Sequence, residues 1–106
     1  MSAWKQLERD AAALFNGARF WANSGERLDF EGEVWQRPSN NPHLGYSKVP
    51  VHGQCKLVRV LSLEALTKLA EEPGVDVVCV KVRRGVGRPS PTLVVFTAEN
   101  YKRLHG

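Results

Sequence analysis

Soft metal-ligating chemistry is scarce in this 106-residue chain: two cysteines, three histidines and one methionine. A structural zinc site needs four ligands, and the nearest pair, His52 and Cys55, is separated by an odd number of residues. On a strand that spacing sends the two side chains to opposite faces, which excludes the usual tetrahedral site. Cys55 and Cys79 sit in apolar, strand-like surroundings and are expected to be reduced core residues. The chain also lacks any apolar run long enough to span a bilayer. Its start, "MSAWKQLERD", is charged and amphipathic, unlike a secretory signal, so a cytoplasmic location and no membrane partner are expected. Internal repeats are missing too. A length of 106 residues predicts a single domain over 1–106, and 42% hydrophobic with 25% charged residues excludes the disordered and fibrous classes.

What is present is a moderate excess of basic residues, unevenly placed. The formal net charge is +4 and the pI about 9.4, mild evidence for a polyanionic partner. Lys81, Arg83, Arg84 and Arg88 crowd into "KVRRGVGRPSP", whereas the carboxylates collect in "GERLDFEGE".

Periodicity gives the elements. Residues 2–16 predict a helix with Ser2 as cap and Trp4, Leu7, Ala11, Leu14 and Phe15 as its apolar stripe. Glu8 falls on that stripe, so it lies either at the stripe's edge or against a polar partner inside. "ARFWANSG" predicts a short strand and a turn. "LDFEGEVWQ" predicts a second strand with Leu28, Phe30 and Val34 on one face and Asp29, Glu31 and Glu33 on the other. "RPSNNPHLGYSKVP" is an excursion joining two antiparallel strands. From 49 to 61 strict alternation puts Gln54 and Lys56 on one face, about 6.6 Å apart along the strand. Ser62 caps "SLEALTKLAEE", with Leu63, Leu66, Leu69 and Ala70 as its stripe, and Pro73-Gly74 ends it. "VDVVCVKV" and "TLVVFT" read as buried strands and "AENYKRLHG" as a closing helix. The predicted class is α/β, a mixed β-sheet flanked by helices in the order α-β-β-β-α-β-β-α.

Four polar features ask for one explanation: Glu8 on an apolar stripe, acids at 29–33, the Gln54/Lys56 pair and the basic loop. Phosphodiester hydrolysis needs charge neutralisation at the phosphate and a nucleophilic water, and a bound Mg²⁺ supplies both. Mg²⁺ takes oxygen ligands, commonly one or two carboxylates with phosphate and water, and a neighbouring lysine can orient the water. Glu8, then "EGEV", then "QCK" follow one another in an order that resembles the PD-(D/E)xK nuclease superfamily and its restriction-endonuclease-like fold. Within it the chain looks most like the archaeal-type Holliday junction resolvases and their phage relatives, through "ANSGE" and "CKLVRVLSLEALTKLAEE" followed by "VDVVCVKVRRGVGRPSPTLVVF".

The resemblance implies a metal-dependent endonuclease that cleaves four-way DNA junctions as a homodimer in a prokaryotic host. It implies Mg²⁺, with Mn²⁺ substituting, held by Glu33 or Asp29 and the Gln54 carbonyl, with Glu8 completing the shell through water. Lys56 would handle the attacking water and Ser24 would contact the scissile phosphate. Lys81, Arg83, Arg84 and Arg88 are the expected DNA contacts, with Arg19, Arg27 and Lys48 as lesser ones. The chain departs from the superfamily in carrying Gln54 where an acid is usual, and in offering two motif acids, of which Glu33 is preferred for its place before Val34-Trp35. A nuclease of restriction or repair type, or a DNA-binding module of the same fold with impaired catalysis, are the competing classes.

Overall fold

The computed structural model describes residues 3–19, 28–36, 45, 47–84 and 87–105. In chain order these form α1 (Ala3–Leu14), β1 (Ala18–Arg19), β2 (Phe30–Gln36), β3 (Ser47–Val58), α2 (Leu63–Glu71), β4 (Val77–Val82), β5 (Thr92–Val95) and α3 (Ala98–His105). The order is the one the periodicity predicts. The five strands make one sheet in the order β1-β2-β3-β4-β5, antiparallel throughout except for the parallel pair β3/β4. Those parallel strands are joined through α2, the crossover that parallel neighbours require.

β3 is the axis of the sheet. Its N-terminal half, Ser47 to Gly53, pairs with β2, and its C-terminal half, Gly53 to Val58, pairs with β4. Only at Gly53 does β3 have a registered partner on both sides. The two neighbours are therefore staggered along it.

Each face of the sheet has its own helix. Val51, Cys55, Val77 and Cys79 pack with Leu7, Ala11 and Ala12 of α1. On the other face Val78 and Val80 pack with Leu66, Leu69 and Ala70 of α2. The α1 stripe is rotated from the expected one: Leu7, Glu8, Ala11 and Ala12 are buried, while Trp4 and Leu14 are 38% and 58% exposed. Small alanines at 11 and 12 let the helix lie close to the sheet, and that close face carries Glu8 inward. Leu63, counted with the α2 stripe, is 81% exposed in the first turn. Ser62 caps α2 as predicted, its Oγ accepting from the Ala65 amide at 3.1 Å. The predicted cap of α1, Ser2, lies outside the described residues.

Gly53 is required by close packing. A Cβ there would lie 2.1–2.2 Å from ring carbons of Phe30, which is fully buried and stacked on Phe15 at 5.8 Å between centroids. Among the described residues no helix is long and apolar enough to cross a membrane.

Candidate functional site

Where β2 stops, β3 continues, and Asp29 bridges the step. Its backbone N–H donates to the Gly53 carbonyl at 2.9 Å, and its carboxylate Oδ2 accepts from the Cys55 N–H at 2.7 Å. The side chain thus replaces the ladder partner that β2 no longer provides, meeting an otherwise orphaned buried donor. Asp76 does the same on the opposite edge, where β4 has not yet begun. Its N–H donates to the His52 carbonyl and its Oδ2 accepts from the His52 N–H, both at 2.8 Å. Asp76 is further paired with Arg103 of α3, and the His52 Nδ1 lies 3.5 Å from Asp76 Oδ2. The sequence reading passed over Asp76; its only signal was an acid directly before a strand and after Pro73-Gly74.

Asp29 consequently sits against the backbone of the Gln54-Cys55-Lys56 segment. Gln54 and Lys56 are in register with Val78 and Val80, so they occupy the α2 face, as alternation requires. Both are half-buried. The Gln54 amide nitrogen donates to Glu72 Oε2 at 3.1 Å, just past the end of α2. Lys56 enters no salt bridge among the described residues.

Glu8 arrives on the other side. It is 7% exposed within the α1 layer, near enough to Cys55 for its charge to act on that thiol. Burial first, and then the charges of Cys79, Asp29 and Glu8, push the Cys55 thiol far above its ordinary range. Burial alone pushes Cys79 up to about 11. Both cysteines are free, buried and held as thiols, as expected of core residues. Glu8 therefore does not share a face with Gln54 and Lys56: the sheet backbone lies between them, and Asp29 stands at the sheet edge in the plane dividing the two sides. The physical reason is the strand's period of two combined with α1 packing on the Cys55 face.

Glu33 is elsewhere. It is in register with Pro50, four residues along β3 from Gln54, or about 13 Å at the usual strand rise. There it pairs with Lys48 at 3.4 Å, and its backbone N–H donates to the Phe15 carbonyl at 2.7 Å. Of the two motif acids, Asp29 and not the preferred Glu33 adjoins the Gln54/Lys56 segment. Ser24 and Arg27 lie outside the described residues, and of Arg19 only the backbone, in β1, is described.

The basic residues gather beyond the C-terminal ends of β3 and β4. Arg83, Arg84 and Arg88 are exposed, the Arg83 N–H donates to the Val58 carbonyl at 2.6 Å, and the Arg84 guanidinium donates to the Pro89 carbonyl at 3.0 Å. Arg59 is exposed at the same end, a contributor that the sequence reading did not single out. Lys81 is in register with Leu57 and so takes the α1 face. Lys48 lies at the far end of β3, away from this cluster, with its ammonium 4.8 Å from the Trp35 ring centroid.

Among the described residues no group of three or more His, Cys, Asp or Glu side chains is arranged to hold a metal ion. The donor set at the end of β2 is smaller, one carboxylate and one amide. Two side chains make no preformed cage, so a hard cation there would have to draw most of its oxygens from phosphate and water. No protein-family model, curated protein or solved structure matches the chain.

Proposed function

We propose that the chain is a metal-dependent DNA endonuclease of restriction-endonuclease-like fold, acting on branched DNA and resolving four-way junctions as a homodimer. The observation that carries this reading is the Asp29 carboxylate fixed at 2.7 Å on the Cys55 N–H, between Gln54 and Lys56. An acid at the start of one strand set against Q-x-K on the next, on an αβββαβ framework, is the arrangement the superfamily resemblance implies.

Asp29 and the Gln54 carbonyl are the groups that would hold Mg²⁺, or Mn²⁺ in its place. The metal would neutralise charge on the scissile phosphate and lower the pKa of a bound water. Lys56, on the same face as Gln54, orients the attacking water and contacts the phosphate. Arg83 and Arg84 follow the strand ends beside Lys56 and bind flanking phosphates, with affinity that falls as salt rises. Glu33 is left out of this assignment, and so is Glu8, which lies on the Cys55 side of the sheet and not with Gln54 and Lys56.

A second reading, a binding module of the same fold with impaired catalysis, is favoured by two observations. Gln54 is neutral and donates to Glu72, and Glu8 is on the far face. Incubating the protein with labelled four-way junction, flap, single-stranded and linear duplex DNA in Mg²⁺ and in Mn²⁺ separates the readings. Junction-selective paired cuts are expected. Equal cutting of all four substrates removes the junction assignment but keeps the nuclease, and binding without cleavage in either metal replaces the enzyme with the binding module.

A further inference from the structure

The Gln54/Lys56 face of β3 continues toward Ser47, and there it carries an unexplained aromatic. Trp35 of β2 is in register with Lys48 of β3, on the same side as His52, Gln54 and Lys56. α2 covers this face only where β4 runs beside β3. Toward the Ser47 end Trp35 is 54% exposed, and Lys48 and Pro50 are exposed beside it. Burying an indole is among the larger gains a small domain can make, so folding does not account for one left more than half in water.

This end of the face carries no excess of positive charge. Lys48 lies 3.4 Å from Glu33, and the His52 Nε2 lies 3.8 Å from Glu31. The face is thus unlike the arginine cluster at the other end of β3, which suits duplex phosphates. It offers a flat ring backed on one side by an ammonium at 4.8 Å, continuous with Lys56 along eight residues of strand, about 26 Å. A nucleobase presents a π-face to such a ring only when it is unpaired, because a duplex hides that face in the stack.

We propose that this face binds an unpaired nucleotide strand that runs along β3 from Lys56, with Trp35 stacking one of its bases. The inference rests on the DNA reading above and adds to it a specificity for unpaired bases at a distance from the cut. Stacking adds about a tenfold preference for unpaired bases to the phosphate contacts around Lys56, and those contacts set the salt dependence.

The test is fluorescence anisotropy with labelled oligothymidylate, an abasic strand and a duplex of equal length, using the wild type, Trp35→Ala and Trp35→Phe. Trp35→Ala should weaken oligothymidylate binding about tenfold and leave duplex binding unchanged, while Trp35→Phe stays within about twofold. The abasic strand should bind the wild type as weakly as oligothymidylate binds Trp35→Ala. Equal loss on duplex and single strand, no loss on either, or tight binding of the abasic strand would each overturn the inference alone. A wild type that binds neither duplex nor single strand removes the DNA reading and the inference together.

Discussion

Replacing Asp29 by asparagine and by alanine separates its structural work from its chemical work. The carboxylate accepts the Cys55 N–H at 2.7 Å, and Cys55 is 1% exposed. Alanine leaves that donor without its partner, and a hydrogen bond to a charged group is worth about 1.5–3 kcal/mol. Asparagine keeps an acceptor oxygen of the same reach but loses the charge, which roughly halves the bond, so its cost should be about 1 kcal/mol. With a urea m value of about 1.5 kcal/mol/M, the midpoint should fall by about 1.5 M for Asp29→Ala and about 0.7 M for Asp29→Asn. Cleavage should vanish in both, because neither variant supplies the anionic oxygen that a hard cation requires. Urea titrations followed by tryptophan fluorescence, run beside junction cleavage in Mg²⁺, give both quantities. Equal destabilisation by the two variants would refute the acceptor role of the side chain. Wild-type cleavage by Asp29→Asn would remove Asp29 from metal binding.

Glu33→Gln, by contrast, breaks a partly exposed pair with Lys48 worth about 0–1 kcal/mol and should leave cleavage intact, as the same assays will show. Lys56→Ala should abolish cleavage while junction affinity in a gel-shift titration changes little, one lysine among many cations adding little to it. Gly53→Ala should cost about 3 kcal/mol, the upper end for overpacking, because the Phe30 ring it strikes is itself pinned by Phe15; denaturation with and without Phe30→Leu should show non-additive costs. Raising the Cys79 thiol from 9.0 to about 11 means that the unfolded chain releases a proton the native state keeps as pH climbs. This contribution is therefore complete below pH 9.0 and falls away between 9.0 and about 11, so urea midpoints in that window should decline less steeply for Cys79→Ala than for the wild type.

How much of the fold was written in local sequence can be judged element by element. The alternation of Val51, Gly53 and Cys55 with His52, Gln54 and Lys56 is a property of neighbouring residues, and it predicted which of them share a face. The Ser62 cap, the Pro73-Gly74 stop and the nearly continuous apolar run of β4 were equally local, so element order and a mixed sheet followed from them, while the parallel pairing of β3 with β4 came from the structure. Glu8 was harder. Its place on the apolar stripe was visible, but whether it lay at the edge or inside depended on how Ala11 and Ala12 seat α1 on the sheet.

The acids show the limit most clearly. Asp29 and Glu33 lie four residues apart in one acidic segment, and local context favoured Glu33 for its place before Val34-Trp35. The register instead brings the other acid next to the Gln54/Lys56 segment, since pairing Phe30 with Gly53 puts Asp29 beside Cys55 and sends Glu33 to Pro50. Asp76 escaped notice for the same reason: its role exists only because β4 starts late against β3. Sequence by itself determined the periodicities, hence the elements and the shared face of Gln54 and Lys56. Tertiary structure alone decided strand stagger and the side on which each helix packs, because both are set by contacts between residues far apart in the chain. Those contacts put Asp29 at the sheet edge, with Lys56 on one face and Glu8 behind the other.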